Sequence, residues 1–178
     1  MRLVGLYRVA VSVILGFALS LPAAAQGAQG AYMSNGLSSR SNICATQAAA
    51  YHGVNADVLR AILLVESGGR PLVVNRNPNG TLDVGIAQIN SIHFDELRRY
   101  GIQPAHLFDE CIAIFVAAWH YAKQVRLYGH TWQAIGAYHS RTRVHNERYQ
   151  RLVYRELLKM GVYRLPPAQQ GAAAPVFP

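Results

Sequence analysis

The sequence predicts a mainly α-helical single domain that contains one small β-hairpin or irregular loop. Two observations lead to this fold class. Apolar residues recur at helical spacing in segments that end at glycine, and polar residues able to cap a helix precede several of them. One stretch between these segments has short apolar runs on either side of a turn sequence. With 178 residues and 51% hydrophobic content, the chain can build one domain with a substantial core.

Capping and stop signals set the bounds of six predicted helices, which cover residues 44–52, 56–67, 91–101, 109–129, 131–138 and 146–160. The expected capping residues are Asn55, Ser91, Asp109 and Thr131. Glycine closes most of these segments, as expected at helix C-termini. The longest helix presents one apolar face, made of Ile112, Phe115, Val116, Trp119 and Ala122.

The β excursion lies between the second and third helices. Residues 72–74 and 81–84 flank Asn77-Pro78-Asn79-Gly80, a sequence typical of turns. We therefore expect a small hairpin or an irregular loop at this point.

The N-terminal segment has the composition of a secretory signal. Arg2 and Arg8 precede an apolar run over residues 9–21. The run is followed at 22–26 by Pro-Ala-Ala-Ala-Gln, whose small residues are typical of a cleavage site. The run is shorter than the ~20 apolar residues of a membrane span. We expect residues 1–25 to be a signal peptide, and we expect the protein to be periplasmic.

The remaining chain divides by composition. Residues 26–42 are rich in Gln, Gly, Ser and Asn and are predicted to form a flexible lead-in. Residues 43–163 form the predicted folded domain. Residues 164–178 are a Pro, Ala and Gln tail that we expect to be disordered.

Export bears on the two cysteines, Cys44 and Cys111. The compartment outside the cytoplasm is oxidising, so a disulfide between them is predicted. Two free buried thiols are the alternative.

The chain is basic, with 17 Lys and Arg against 9 Asp and Glu and a net charge of +8. No RNA-binding aromatic signature, zinc-finger spacing or Lys/Arg block favours nucleic acid, whereas an anionic cell wall fits this charge. The basic last helix, with Arg148, Arg151, Arg155 and Lys159, is interpreted as a solvated face. The seven histidines include no His-Glu-x-x-His, so neither a metal site nor a cofactor is expected.

Glu66 stands out among the acidic residues. Leu59, Ile62, Leu63 and Glu66 follow the i, i+3, i+4, i+7 spacing that places them on one face of the second helix. Burial and the negative end of the helix both raise the pKa of a carboxyl group there. A glutamate that is partly protonated at neutral pH can act as a general acid. The alternative is a glutamate that pairs with Arg70 and closes the helix.

Four ordered motifs resemble those of the soluble-lytic-transglycosylase-like domain family: Glu66-Ser67-Gly68-Gly69, Asp83-Val84-Gly85-Ile86-Ala87-Gln88-Ile89-Asn90, Ala137-Tyr138-His139-Ser140, and Tyr149 with Val153. The similarity spans roughly residues 44–153. The two cysteines resemble the pair of the small exported branch of that family. That branch accompanies type IV secretion, conjugation, type III secretion and pilus machines.

The resemblance implies a lysozyme-like domain that cleaves the β-1,4 bond between N-acetylmuramic acid and N-acetylglucosamine without water. Glu66 would protonate the glycosidic oxygen and then accept the proton of the muramyl C6 hydroxyl as that hydroxyl attacks C1. A 1,6-anhydro end results. One carboxyl group suffices for this reaction, whereas ordinary glycosidases need two. The implied partners are peptidoglycan glycan strands and components of a secretion, conjugation or pilus apparatus.

The resemblance also implies roles for other residues. Ser67 and Gln88 are expected to form hydrogen bonds near the sugar. Tyr138 and Tyr149 are expected to line the cleft, although both could instead be core residues with satisfied hydroxyls.

Two positions depart from the family pattern. Ala87 stands where the family usually has Met, and His139 stands where it usually has Asn. His139 can still donate and accept hydrogen bonds in substrate binding, but unlike Asn it titrates near neutral pH.

Two rival functions stay open at this point. A water-using muramidase would need a second carboxylate, for which the candidates are Asp83 first, then Asp95, Asp109 and Glu110. A peptidoglycan-binding assembly factor would have weak catalysis or none. The intact Glu66 motif argues against the assembly factor.

Overall fold

The structure, a computed structural model that describes residues 36–163, confirms the mainly α-helical fold class. Its helices are α1 Ser39–His52, α2 Ala56–Ser67, α3 Phe94–Arg98, α4 Glu110–Tyr128, α5 Trp132–His139 and α6 Arg143–Lys159. Its strands are β1 Val74–Arg76, β2 Leu82–Val84 and β3 Ile89–Asn90. Short 3₁₀ helices cover Ser91–His93 and Pro104–Phe108.

Side-chain caps begin three of the helices where the sequence predicts them. The side chains of Asn55, Asp109 and Thr131 accept hydrogen bonds from backbone N–H groups in the first turns of α2, α4 and α5. These bonds satisfy donors that a helix start otherwise leaves without partners. Gly68 ends α2 in the left-handed conformation, with φ at 64°.

Helix α1 begins earlier than predicted. It starts at Ser39 rather than Cys44, so residues 39–42 are helical and do not belong to a flexible lead-in. Glu110 on α4 accepts hydrogen bonds from the hydroxyls of Ser38 and Ser41, at 2.7 and 2.6 Å. A contact from a distant helix thus stabilises the first turn of α1, which local sequence could not indicate.

The helix predicted over 91–101 is wrong in its cap and its extent. Asn90, not Ser91, caps the segment by accepting a hydrogen bond from Ile92 N–H. The hydroxyl of Ser91 instead accepts the N–H of Leu82, at 3.0 Å, and so extends the β2 hydrogen bonding. The segment consists of a 3₁₀ helix followed by the five-residue α3.

The segment predicted to be a small hairpin or an irregular loop forms a hairpin, to which a third strand is added. The sheet is antiparallel in the order β1-β2-β3, with Asp83 opposite Asn75 on one side and opposite Asn90 on the other. Two residues are too few for β3 to show a sequence pattern. Since β2 is central, Asp83 has an asparagine on each side.

The core joins the helices through fully buried side chains such as Leu59, Ile62, Ile114 and Leu157. The predicted disulfide is present. Cys44 on α1 and Cys111 on α4 are linked, with their Cα atoms 5.3 Å apart. The bond ties the N-terminal helix to the longest helix.

Helix α5 packs closely on α6 because Gly136 has no side chain. A Cβ there would lie 2.1 Å from Oδ1 of Asn146 on α6. The amide of Asn146 donates to the carbonyls of Gln133 and Ser140, at 3.1 and 3.0 Å. Helix α6 therefore holds the end of α5 in place.

Three predictions lie outside the described residues: the signal peptide, most of the lead-in and the C-terminal tail. Within residues 36–163, no helix combines the length and the hydropathy that a membrane crossing requires.

The disulfide should contribute strongly to stability. It closes a loop with a sequence separation of 67 residues, so losing it should lower the free energy of unfolding by about 4 kcal/mol. We expect urea unfolding to show this loss in a Cys44→Ala, Cys111→Ala double variant. Reduced wild-type protein should show a similar loss in the free energy of unfolding. Equal stability of the variant and the oxidised protein would contradict the prediction.

Candidate active site

A cleft of about 850 Å³ opens beside Glu66. Side chains of the small sheet and its turn form one part of the lining, including Asn75, Asn77, Asp83, Gln88 and Asn90. Residues of α4 and α5 form another part, including His120, Gln124, Tyr138 and His139. The cleft is thus rich in neutral groups that can form hydrogen bonds with a polar ligand.

Glu66 occupies the last turn of α2 and is half-buried. Burial raises the pKa of its carboxyl group to about 7, the hydrogen bond from Tyr149 opposes this rise, and the negative charge of Asp83 adds to it. The group is therefore partly protonated at neutral pH. Proton donation and proton acceptance are both accessible to it.

The alternative pairing of Glu66 with Arg70 is wrong. The Arg70 guanidinium donates to the Ser67 carbonyl at 2.7 Å, and Glu66 forms no ion pair within residues 36–163. The Tyr149 hydroxyl instead donates to Glu66 Oε1 at 2.5 Å. A neutral donor leaves the carboxyl group able to take up and release a proton near pH 7, which a buried ion pair would prevent.

Two rings stack with that of Tyr149. The ring of His139 stacks on it with centroids 5.1 Å apart and an interplanar angle of 3°, and the ring of Tyr138 lies 6.2 Å away at 17°. Burial and the charge of Glu66 raise the pKa of both tyrosines well above the ordinary value. Both hydroxyls therefore stay protonated and act as hydrogen-bond donors.

The turn over residues 85–88 shapes the wall of the cleft. Gly85 has φ at 78°, and a Cβ there would lie 2.1 Å from the Leu107 carbonyl oxygen, so only glycine fits. Gln88 has φ at 47°, and its side-chain amide donates to the Gly85 carbonyl at 2.8 Å. Asn75 donates to the Gln88 amide oxygen at 2.7 Å. These contacts hold Gln88 at the cleft surface.

Ser67 is not at the cleft surface. Its buried hydroxyl donates to the Ile86 carbonyl at 2.7 Å and accepts the Arg70 N–H at 3.1 Å. This side chain joins the end of α2 to the 85–88 turn. Ala87, in the same turn, is buried, and its carbonyl accepts a hydrogen bond from Tyr138 at 3.0 Å.

Asp83 is the other carboxylate of the cleft lining. Its two oxygens accept hydrogen bonds from the side-chain amides of Asn77 and Asn90, at 2.9 and 2.7 Å. Sequence reasoning did not identify these two asparagines as partners. Two sequence features could have indicated them: Asn77 begins the turn sequence at 77–80, and Asn90 is the last residue of the second motif.

His120 is a further site residue that the sequence did not indicate. Its Nε2–H donates to the Tyr138 carbonyl at 3.1 Å, and burial, with the nearby His93, lowers its pKa to about 4. The neutral ring thus supports the end of α5. Among the described residues, no group of three or more His, Cys, Asp or Glu side chains is arranged to hold a metal ion.

Comparison with known families assigns the chain to a family. Residues 43–155 match the family model for the transglycosylase SLT domain. The chain belongs to this family. The matched range includes Glu66, the 85–88 turn and Tyr149, so each cleft contact described above lies within the SLT domain.

Several curated proteins resemble this SLT domain protein. Invasion protein IagB of Salmonella typhimurium is 35% identical over 100 residues, covering 56% of this chain and 62% of the relative. X polypeptide of Escherichia coli K12 is 39% identical over 105 residues, covering 57% and 61%. Protein IpgF of Shigella flexneri is 34% identical over 114 residues, covering 64% and 74%. The chain thus spans less than two thirds of the length of the first two relatives.

Replacing Tyr149 with Phe should raise the pKa of Glu66 above its value of about 7 in the SLT domain. The hydroxyl stabilises the carboxylate more than the neutral acid, so removing it favours the protonated form. Carbon-13 NMR of the Glu66 carboxyl group across pH measures the change directly.

Tyr138→Phe is the matched control for that titration, because its hydroxyl donates to the Ala87 carbonyl instead. It should move the pKa of Glu66 much less. A Glu66 titration that is unchanged or shifted to lower pH in Tyr149→Phe would show that this hydrogen bond does not set the pKa.

Proposed function

We propose that this SLT domain is a lytic transglycosylase. It cleaves the β-1,4 bond between N-acetylmuramic acid and N-acetylglucosamine in peptidoglycan and leaves a 1,6-anhydromuramyl end. The observation that carries the proposal is a half-buried carboxyl group with a pKa of about 7, bonded to a neutral donor and open to a polar cleft. General acid and general base catalysis both work best when the pKa lies near the working pH.

In the first step, protonated Glu66 donates its proton to the glycosidic oxygen as the bond from C1 to that oxygen breaks. The N-acetylglucosamine leaves as a neutral alcohol. Glu66 becomes a carboxylate, which accepts the hydrogen bond of the Tyr149 hydroxyl. This bond stabilises the charge that forms during the step.

In the second step, the Glu66 carboxylate takes the proton of the muramyl C6 hydroxyl while O6 forms a bond to C1. Glu66 returns to its protonated form. No water enters the products, and no second carboxylate is needed to activate one. The substrate itself supplies the nucleophile.

Gln88, Tyr138, His139 and Tyr149 support this reaction around the glutamate. We assign Gln88 and His139 to sugar binding, because both line the cleft and carry hydrogen-bonding groups. Tyr138 and Tyr149 hold the geometry of the site through Ala87 and Glu66. Ser67 positions the 85–88 turn, because its buried hydroxyl already contacts Ile86 and Arg70.

We further propose that the protein is exported through its N-terminal signal to the periplasm and opens the wall locally for a secretion, conjugation or pilus machine. The signal-like composition of residues 1–25, the disulfide and the basic charge support export to an anionic wall. The name of one relative, an invasion protein, supports a role in such an assembly.

Replacing Glu66 with Gln should lower the lysis of purified sacculi by ~100-fold or more, because the amide keeps the shape but cannot transfer the proton. Turbidity of a sacculus suspension measures the rate. Binding to sacculi should persist, and thermal unfolding should show a folded protein. Glu156→Gln, which makes the same change at an ion pair with Lys159 on α6, should retain full activity.

Near wild-type lysis by Glu66→Gln would show that Glu66 is not the catalytic acid and base. If the wild-type protein binds sacculi and releases no fragments, it is a binding factor instead.

The products should distinguish the transglycosylase from a muramidase. Each new muramyl end should be a 1,6-anhydro sugar, lighter by one water than the hydrolytic product and resistant to borohydride reduction. Mass spectrometry of the soluble fragments, from a digest in oxygen-18 water, identifies these ends.

Reducible ends that carry oxygen-18 would indicate a muramidase. Asp83→Asn should then abolish the reaction, since Asp83 lines the cleft and its charge acts on Glu66. For a transglycosylase, that variant should still give anhydro ends.

A further inference from the structure

A second cavity, of about 300 Å³, also borders the catalytic glutamate. Its lining residues are Val65, Glu66, His139, His145, Arg148, Tyr149 and Leu152. Glu66 and His139 line both this cavity and the main cleft. A substrate bound at Glu66 therefore has access to both spaces.

The second cavity differs from the main cleft in its charge. Besides amides, hydroxyls and imidazoles, the main cleft is lined by Arg141 and by the two carboxyl groups of Glu66 and Asp83. In the smaller cavity, Arg148 stands with one carboxyl group, that of Glu66. His139, His145 and Arg148 all line this cavity, and the charges of His145, Asp83 and Arg148 act on His139. Within the described part of the chain, Glu66 is the one acidic residue that lines this cavity.

Among the residues that the structure describes, Arg148 has no partner that would neutralise its charge. On the same helix, Arg143 pairs with Glu147 and Lys159 pairs with Glu156. Arg148 forms no ion pair or hydrogen bond within residues 36–163. Its side chain is exposed at the cavity, so the guanidinium is available to a ligand.

An uncharged sugar cannot form an ion pair with an unpaired guanidinium beside the bond that breaks. A carboxylate can form this ion pair, because arginine binds a carboxylate through two parallel hydrogen bonds. In peptidoglycan, carboxylates belong to the muramyl residue: they lie on its stem peptide, or on its lactyl group when the peptide has been removed.

We propose that Arg148, with His145 and His139, forms a subsite that binds a carboxylate of the muramyl residue next to the bond that is cleaved. The subsite rests on the proposed function for its substrate class. It makes the enzyme selective for glycan that carries a negative charge at this position.

Three glycan preparations test the subsite: strands with stem peptides, strands freed of peptide that carry the lactyl carboxylate, and the same strands with that carboxylate converted to the neutral methylamide. Dissociation constants are measured by calorimetry in the Glu66→Gln background, so that no cleavage occurs. Arg148→Gln should weaken binding of at least one carboxylate-bearing strand by ~10-fold, the scale of one charge-assisted interaction. It should leave methylamide binding unchanged.

Arg155→Gln is the matched control, since Arg155 lies on the same helix, is exposed and lines neither cavity. It should bind all three strands like the parent protein. Arg148→Lys keeps the charge and should restore part of the affinity. Weakening confined to the peptide-bearing strand assigns the carboxylate to the stem peptide, and weakening confined to the free lactyl strand assigns it to the lactyl group.

Two outcomes overturn the subsite: equal weakening of methylamide binding by Arg148→Gln, and no difference between Arg148→Gln and Arg155→Gln on any strand. The proposed reaction fails separately, if wild-type protein produces no anhydro ends. Because binding is measured without cleavage, either proposal can fail while the other stands.

Discussion

The hydrogen bond between the Tyr149 hydroxyl and the Glu66 carboxyl group is the contact on which the site depends. It joins α2 to α6 across 83 positions of the chain. Other contacts hold its Tyr149 end. Asn146 fits against Gly136 and fixes α6 on α5, while the rings of His139 and Tyr138 stack with that of Tyr149. The result is a half-buried carboxyl group whose one side-chain partner among the described residues is neutral, and this keeps its pKa near 7.

Asp83 and Glu66 line the same cleft, but their carboxyl groups have different surroundings. Both oxygens of Asp83 accept hydrogen bonds from asparagine amides, which fix the orientation of this side chain. Glu66 is partly withdrawn from water and receives one hydrogen bond from a side chain. The sheet register explains the difference, because β2 is central and places Asp83 opposite Asn90. Such a pair of environments suits one carboxyl group to proton transfer and the other to structure.

Most of the fold could be predicted because its signals are local. Caps at Asn55, Asp109 and Thr131 act within three residues, and glycine at a helix end acts on its own backbone. The errors lie where a distant group intervenes. Glu110 stabilises an earlier start of α1. The N–H of Leu82 donates to the hydroxyl of Ser91, which was expected to cap a helix. The third strand has only two residues and carries no periodic signal of its own.

The sequence by itself determined the helical class, the cysteine pair and the place of Glu66 on an apolar helix face, since these follow from spacing and residue type. Tertiary structure alone decided which group contacts Glu66. Arg70, four residues away, turns back to the Ser67 carbonyl, and Tyr149 from another helix reaches the carboxyl group instead. It also turned Ser67 inward and put Arg148 beside the second cavity. The physical reason is that hydrogen bonds and ion pairs depend on distances of a few ångströms, which packing between helices sets and sequence separation does not.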